Sequence, residues 1–211
     1  MDKKKTLEKL RKQYFTKETQ DEKDVVMAVT PFLKTSKFFI DVGASLGQYT
    51  HHANTLMDDG IIVAIEPDPW RFDALDRACK KWETQRTNRI ITVNGVASNF
   101  NGDTIFYTTQ SPRSGGILER NLPEKQTAIK CKSYRLDDLI RADETVDFVK
   151  IDVEGAEGYV LGGCPNILKS NAKFMIEIHS HLIDSNEIFN LLNNNGYAVN
   201  FSSGNRYLFV K

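Results

Sequence analysis

Short, almost unbroken apolar runs recur along this chain, and helical patterns follow them. Lys37 to Gly43 leads into residues that place Leu46, Thr50, Ala53 and Met57 on one face. Ile61 to Ile65 is stopped by Glu66 and Pro67. Asp68 then offers an N-cap, Pro69 a first helical position, and Phe72, Leu75, Cys79 and Trp82 a helical stripe. Three more runs follow: Arg89 to Ala97, Asp147 to Val153 and Lys173 to His179. A helix from about Ser185, with Ile188, Leu191 and Leu192 inward, stops at Gly196. Strands without polar alternation are buried on both faces, so the pattern predicts a parallel sheet between two helical layers. The ending breaks the rhythm. Tyr197 to Phe201 and Arg206 to Val210 are separated by only four residues, too few for a crossover helix, and must pair antiparallel. Between the third and fourth runs, two strand-like segments (Thr104 to Thr109, Ala128 to Ser133) flank a Ser111–Gly116 loop. The expected architecture is a three-layer, Rossmann-like α/β fold. Its seven-stranded sheet is mostly parallel, ends in an antiparallel hairpin, and carries a small β insertion between the third and fourth strands.

A chain of 211 residues can bury one full core, and no linker divides it. We expect a helical extension over residues 1–35, placed to act as a lid, and one main domain over 36–211. The first fifteen residues are basic, with an apolar stripe of Leu7, Leu10 and Tyr14, and read as a solvated amphipathic helix packed on the domain. Over the whole chain 28 basic residues balance 28 acidic ones, leaving no net field to gather a polyanion, so nucleic acid is not the expected partner. Cys79, Cys131 and Cys164 are odd in number and far apart, which argues against a disulfide framework or a metal knuckle. No apolar run approaches the length of a membrane span. The chain reads as cytoplasmic.

Ligands of such sheets lie at the carboxyl ends of the strands, where strand order reverses. Asp41 to Gly47 occupies that position. Gly43 and Ala44 keep the backbone open to a ligand, Gly47 starts a helix whose free amides favour a carboxylate, and Asp41 could meet an ammonium. One carboxylate and one ammonium describe the methionine end of S-adenosylmethionine. The Gly-x-x-x-Gly spacing is not the dinucleotide fingerprint. Glu66, followed by Pro67, ends the second run where an acid grips ribose hydroxyls, and Val96 and Ala97 close the third where an adenine would lie. Asp68 is assigned to helix capping. In the fourth run alternation puts Asp152 and Glu154 on one face, with Gly155 just beyond. In the fifth, Glu177 and His179 share a face toward the same cleft. His51, His52 and His181 are read as structural. The closing hairpin separates a methyltransferase version of this architecture from an all-parallel dehydrogenase.

These residues carry a family resemblance. Phe39–Gly47, Ala64–Pro67 and Val149–Glu157 resemble the motifs of FkbM-type methyltransferases, as do Asn94–Ser98, Arg135–Leu139 and Met175–His179 in the same order. The resemblance spans about residues 36 to 180. It implies an S-adenosylmethionine-dependent enzyme and, commonly, O-methylation of sugars or secondary metabolites. The extension before Ser36 and the loop around Arg113 fall outside it, and acceptor choice is expected there. The expected reaction is an in-line displacement by the acceptor oxygen. Alignment can supply about 7–11 kcal/mol of the barrier, and a positioned base adds about 10² to 10⁴ in rate. His179 is the candidate base, with Asp152 or Glu154 orienting it or taking the proton. A variant in which Asp152, Glu154 and His179 hold a divalent cation is not favoured. The expected acceptor is a sugar or other small molecule. The alternatives are an RNA methyltransferase and a NAD-type oxidoreductase on a related fold. The oligomeric state is open, a homodimer included.

Overall fold

Phe38, Ile40 and Val42 point to one side of the first strand and Phe39 to the other, and all five residues of β1 (Phe38–Val42) are buried, so the strand must be covered on both faces. The computed structural model describes residues 19–109, 115–118 and 126–211; the basic stretch before Thr19 and the loop at Arg113 lie outside these. After β1 come β2 (Ile61–Glu66), β3 (Arg89–Asn94), β4 (Val96–Ala97), β5 (Gly102–Thr108), β6 (Thr127–Tyr134), β7 (Phe148–Ile151), β8 (Lys173–Glu177), β9 (Ala198–Ser203) and β10 (Arg206–Val210). The main sheet has seven strands in the order β3-β2-β1-β7-β8-β10-β9. β3, β2, β1, β7 and β8 pair in parallel, and β10 runs antiparallel to both β8 and β9. The expected fold is therefore present, closing hairpin included.

One helical layer holds α1 (Gln20–Leu33), α2 (Gln48–Leu56) and α3 (Pro69–Glu83). Thr19 and Glu22 close a reciprocal capping box at the start of α1. Its Val25, Val29 and Leu33 pack with Ala53 of α2 and Met57 just after it on Phe39, Ile62, Phe148, Met175 and Leu208. This part of the N-terminal extension is thus built into the main core. Asp68 caps α3 as expected, accepting from the amides of Trp70 and Arg71. The other layer holds α4 (Glu157–Gly162), α5 (Pro165–Lys169) and α6 (Ser185–Asn194), whose Val160, Leu161, Ile167, Leu168, Ile188 and Leu192 cover the opposite face. The crossover from β7 to β8 uses two short helices, since Gly162, Gly163 and Pro165 interrupt a longer one.

The third run is not one strand. β3 ends at Asn94, whose side-chain amide donates to the Glu66 carbonyl, and Val96–Ala97 leaves to pair with β6 in a separate sheet ordered β4-β6-β5. Gly95 makes the break possible. A Cβ there would stand 2.6 Å from the Lys132 carbonyl oxygen and 2.7 Å from the Tyr134 ring. The insertion holds the two expected strand segments, and β5 runs antiparallel to β6. All three cysteines are free. Among the described residues no helix is long and apolar enough to cross a membrane.

Leu33, fully buried, tests whether α1 belongs to the core. Leu33→Ala should cost about 2–5 kcal/mol in urea denaturation, as for a core leucine. A loss below about 1 kcal/mol would make α1 an appendage.

Candidate active site

Between β1 and β7 the sheet order reverses, and their carboxyl ends, with those of β2 and β8, open into a cavity of about 220 Å³. At one end Val96, Ala97 and Phe106 give an apolar slot beside Pro67. Glu66 stands in the middle, next to the Gly43–Ala44–Ser45 turn. Beyond the turn the wall becomes charged, with Asp152 and Glu154 after β7, Glu177 on β8, Arg206 on β10 and Glu22 on α1.

Glu66 is 2 % exposed. Its carboxylate is aimed by two backbone amides, Ser45 donating at 2.8 Å and Asp68 at 2.9 Å, with Arg71 at 3.9 Å. Burial raises its pKa above the usual carboxylate range, opposed by Arg71 and by the two amides. A carboxylate has about four acceptor sites, so two amides leave capacity for a pair of ligand hydroxyls. Nearby, the hydroxyls of Ser45 and Tyr49 are buried without a hydrogen-bond partner and both residues line the cavity. An acid, an apolar slot, two unsatisfied hydroxyls and a charged far end fit a nucleoside that carries an amino acid.

Of the residues singled out in the sequence, Gly43, Ala44, Glu66, Pro67, Val96, Ala97, Asp152 and Glu154 line this cavity, whereas Asp41, Gly47 and His179 do not. Asp41 is fully buried: Thr50 donates to it at 2.6 Å and the Lys150 ammonium lies 3.3 Å away. It supports the loop rather than facing an ammonium in the cavity. Gly47 has φ +88°, and a Cβ there would meet Leu75 at 2.7 Å and Trp82 at 3.0 Å, so it serves the packing of α2 on α3. Gly43, at φ +73°, admits a protein atom: a Cβ would stand 1.9 Å from the Asp152 carbonyl oxygen.

Lys150 went unread in the sequence. Its ammonium donates to the carbonyls of Val42 (3.2 Å) and Gly43 (2.8 Å) and lies 3.7 Å from Asp152. A lysine amid the buried run Phe148–Ile151 was the available signal, because a buried cation requires partners. Arg206, directly opposite Glu177 across the β8–β10 ladder, holds that carboxylate at 2.9 Å.

Asp152 and Glu154 come together because the chain turns sharply after β7, with Glu154 at φ +56° and Gly155 at φ +98°, not because the strand continues. Behind them stands His179, 5 % exposed. Its Nδ1 is 2.7 Å from Oε1 of Glu157, and its Nε2 is 3.7 Å from Glu154 and 3.9 Å from Glu177. Burial opposes the charged ring, but Glu157, Glu154 and Asp152 outweigh it and raise the pKa to about 9. One atom each from Asp152, Glu154 and His179 lie within 4.8 Å of one another. A cation among them would take Nε2 and leave the proton on Nδ1, facing Glu157, in place. His52 is hydrogen-bonded with Thr30, and His51 packs on Trp82.

Residues 41–199 match the model of the methyltransferase FkbM domain. The hexuronic acid methyltransferase AglP of Haloferax volcanii is 27% identical over 196 residues, 90% of this chain and 75% of that protein. Precorrin-6y C5,15-methyltransferase of Geobacter metallireducens GS-15 superposes with a TM-score of 0.53 at 16% identity, covering 92% of this chain and 90% of that one. Fibrillarin of Aeropyrum pernix, solved with natively bound S-adenosyl-L-methionine, gives 0.53 at 11% identity over 89% and 73%. At these identities the structural likeness is one of fold.

Charge-assisted hydrogen bonds of the kind Glu66 can accept are each worth about 1.5–3 kcal/mol. Glu66→Ala should therefore weaken S-adenosylhomocysteine binding by about a hundredfold or more in calorimetry, with the circular dichroism spectrum unchanged. Undiminished affinity would remove Glu66 from the binding site.

Proposed function

Because this chain belongs to the FkbM family of methyltransferases, we propose that it moves a methyl group from S-adenosylmethionine to a hydroxyl of a sugar, a hexuronic acid being the first acceptor to test. The observation that supports this reading is one continuous cavity with an amide-aimed acid, Glu66, at its middle and an acid pair, Asp152 and Glu154, beyond the turn. Hexuronic acid enters through the name of the Haloferax relative.

Bound there, S-adenosylmethionine supplies a methyl group on a positively charged sulfur. Glu66 accepts the ribose hydroxyls, Val96 and Ala97 flank the adenine, and the unsatisfied hydroxyls of Ser45 and Tyr49 give further polar contacts. The Gly43–Ser45 turn is held by hydrogen bonds from the Gly43 and Ala44 amides to the Ile65 carbonyl, so the cofactor meets a wall that does not have to reorganise. Asp152 and Glu154 face the acceptor, and His179, directly behind, holds the proton that leaves the acceptor oxygen. A sugar hydroxyl is a poor nucleophile with its proton in place, so this cluster supplies the general-base part of the rate.

Incubation with S-adenosylmethionine and separate glucuronide, neutral glycoside and RNA substrates, read by mass spectrometry, checks the reading. A methyl ether on a sugar oxygen, formed also in EDTA, is expected. Transfer to RNA alone, or to nitrogen, would overturn it.

A further inference from the structure

Glu157 is fully buried, carries its carboxylate at the first turn of α4, and takes no part in the cavity wall. One of its oxygens, Oε1, already accepts the Gly155 amide at 3.1 Å, and that same oxygen lies 2.7 Å from Nδ1 of His179. A carboxylate has only lone pairs to offer, so at this distance Nδ1 must be the donor. The second ring nitrogen is turned toward Glu154 and Glu177 at 3.7 and 3.9 Å, beyond ordinary hydrogen-bond length. The ring is therefore held from behind and left open in front, and the open side faces the acids that line the cavity.

We infer that Glu157 is a positioning residue for methyl transfer: it keeps the proton of His179 on Nδ1 and leaves Nε2 as the ring atom that takes the acceptor's proton. This rests on the proposed O-methylation. In the step, the acceptor O–H bond breaks, the Glu154 carboxylate at the cavity wall takes the proton, and Glu154 passes it to Nε2, 3.7 Å away. The oxygen keeps the electron pair that forms the new O–C bond, and the pair of the broken C–S bond stays on sulfur. His179 ends as an imidazolium with one proton on each nitrogen, its charge shared with Glu157.

The groups around the ring come from several elements. Glu157 lies on α4, Asp152 and Glu154 in the turn after β7, and Glu177 on β8, while His181 packs its ring 5.9 Å away and Arg206 of β10 is engaged with Glu177. Four carboxylates favour the protonated ring, and Glu157 makes the shortest contact. Since Nε2 acts only when the ring is neutral, turnover should rise with pH and level off above about 9. Glu157→Gln keeps an oxygen for Nδ1–H and removes the charge. The ring then loses its proton at lower pH, and the rise in turnover moves toward neutrality.

The test joins nitrogen NMR of ¹⁵N-histidine-labelled enzyme, without acceptor, to pH profiles of turnover. In the wild type, the neutral ring of His179 should carry its proton on Nδ1. In Glu157→Gln the midpoint of its titration should fall by about one pH unit or more. The inflection in kcat should fall with it, while KM for S-adenosylmethionine stays within about twofold. A neutral ring protonated on Nε2, or an unmoved midpoint, overturns the assignment. If Glu157→Gln fails to fold, the wild-type tautomer decides the matter. The NMR needs no acceptor, so a wrong sugar would leave the tautomer and the titration midpoint unaffected.

Discussion

A buried ammonium bolts the two central strands together. Asp41 and Lys150 are partners across the β1–β7 ladder, at the place where strand order reverses. Strand ends diverge there, which opens a crevice: the Val42 carbonyl still accepts the Asp152 amide, and the Gly43 carbonyl lies past the end of the ladder. The Lys150 ammonium binds there: it takes the carbonyls of Val42 and Gly43 and balances Asp41 and Asp152. Charges removed from water cost several kcal/mol each unless they are paired and hydrogen-bonded. Here the cation has four oxygen partners, and two of them, the carbonyls of Val42 and Gly43, lie where β1 enters the turn that shapes the cavity. The rest of the site follows from this bolt. With Val42 and Gly43 drawn toward β7, the Asp152 carbonyl comes so close to Gly43 that a side chain at that position is excluded.

The cavity is divided by charge as well as by shape. On one side of the Gly43–Ser45 turn the wall is apolar, with one aimed acid. On the other, Asp152, Glu154 and Glu177 are answered by Lys150, Arg206 and His179. Burial together with Asp152 raises the pKa of Glu177, while Arg206 works against it. These acids would repel one another without the three cations. Each cation comes from a different element: β7, β10 and the segment after β8. The charged end of the cavity is therefore a property of the assembled sheet, and no single motif contains it.

That explains what the sequence could and could not disclose. Strands, layers and the antiparallel ending were legible, because apolar runs and a connection too short for a crossover helix leave few alternatives. Glu66, Asp152 and Glu154 were legible from their place at strand ends. Asp41 and Gly47 were located correctly in the chain but read toward a ligand, since nothing local reveals that Thr50 and Lys150 take up the first and that Leu75 and Trp82 crowd the second. The break at Gly95 depends on β6, which lies far along the chain. Glu157 escaped notice because its partner, His179, is 22 residues away, across a crossover whose length the sequence did not resolve.

The position of His179 also bears on how a cationic donor is handled. Carboxylates beside a sulfonium attract it, but that attraction favours the bound donor more than a transition state in which the charge is already dispersing, and uniform or ground-state binding does not speed chemistry. In the proposed reaction the imidazolium that forms behind Asp152 and Glu154 as the proton arrives tempers their field toward the cavity. It does so from outside the cavity wall. After transfer the donor is neutral, so the same carboxylates lose their hold on it, and the site is biased toward releasing product. In the proposed reaction a ring placed one layer back, with its rear nitrogen tied to Glu157, keeps Nε2 free while it is neutral and turns into the imidazolium that balances the acids once the proton arrives.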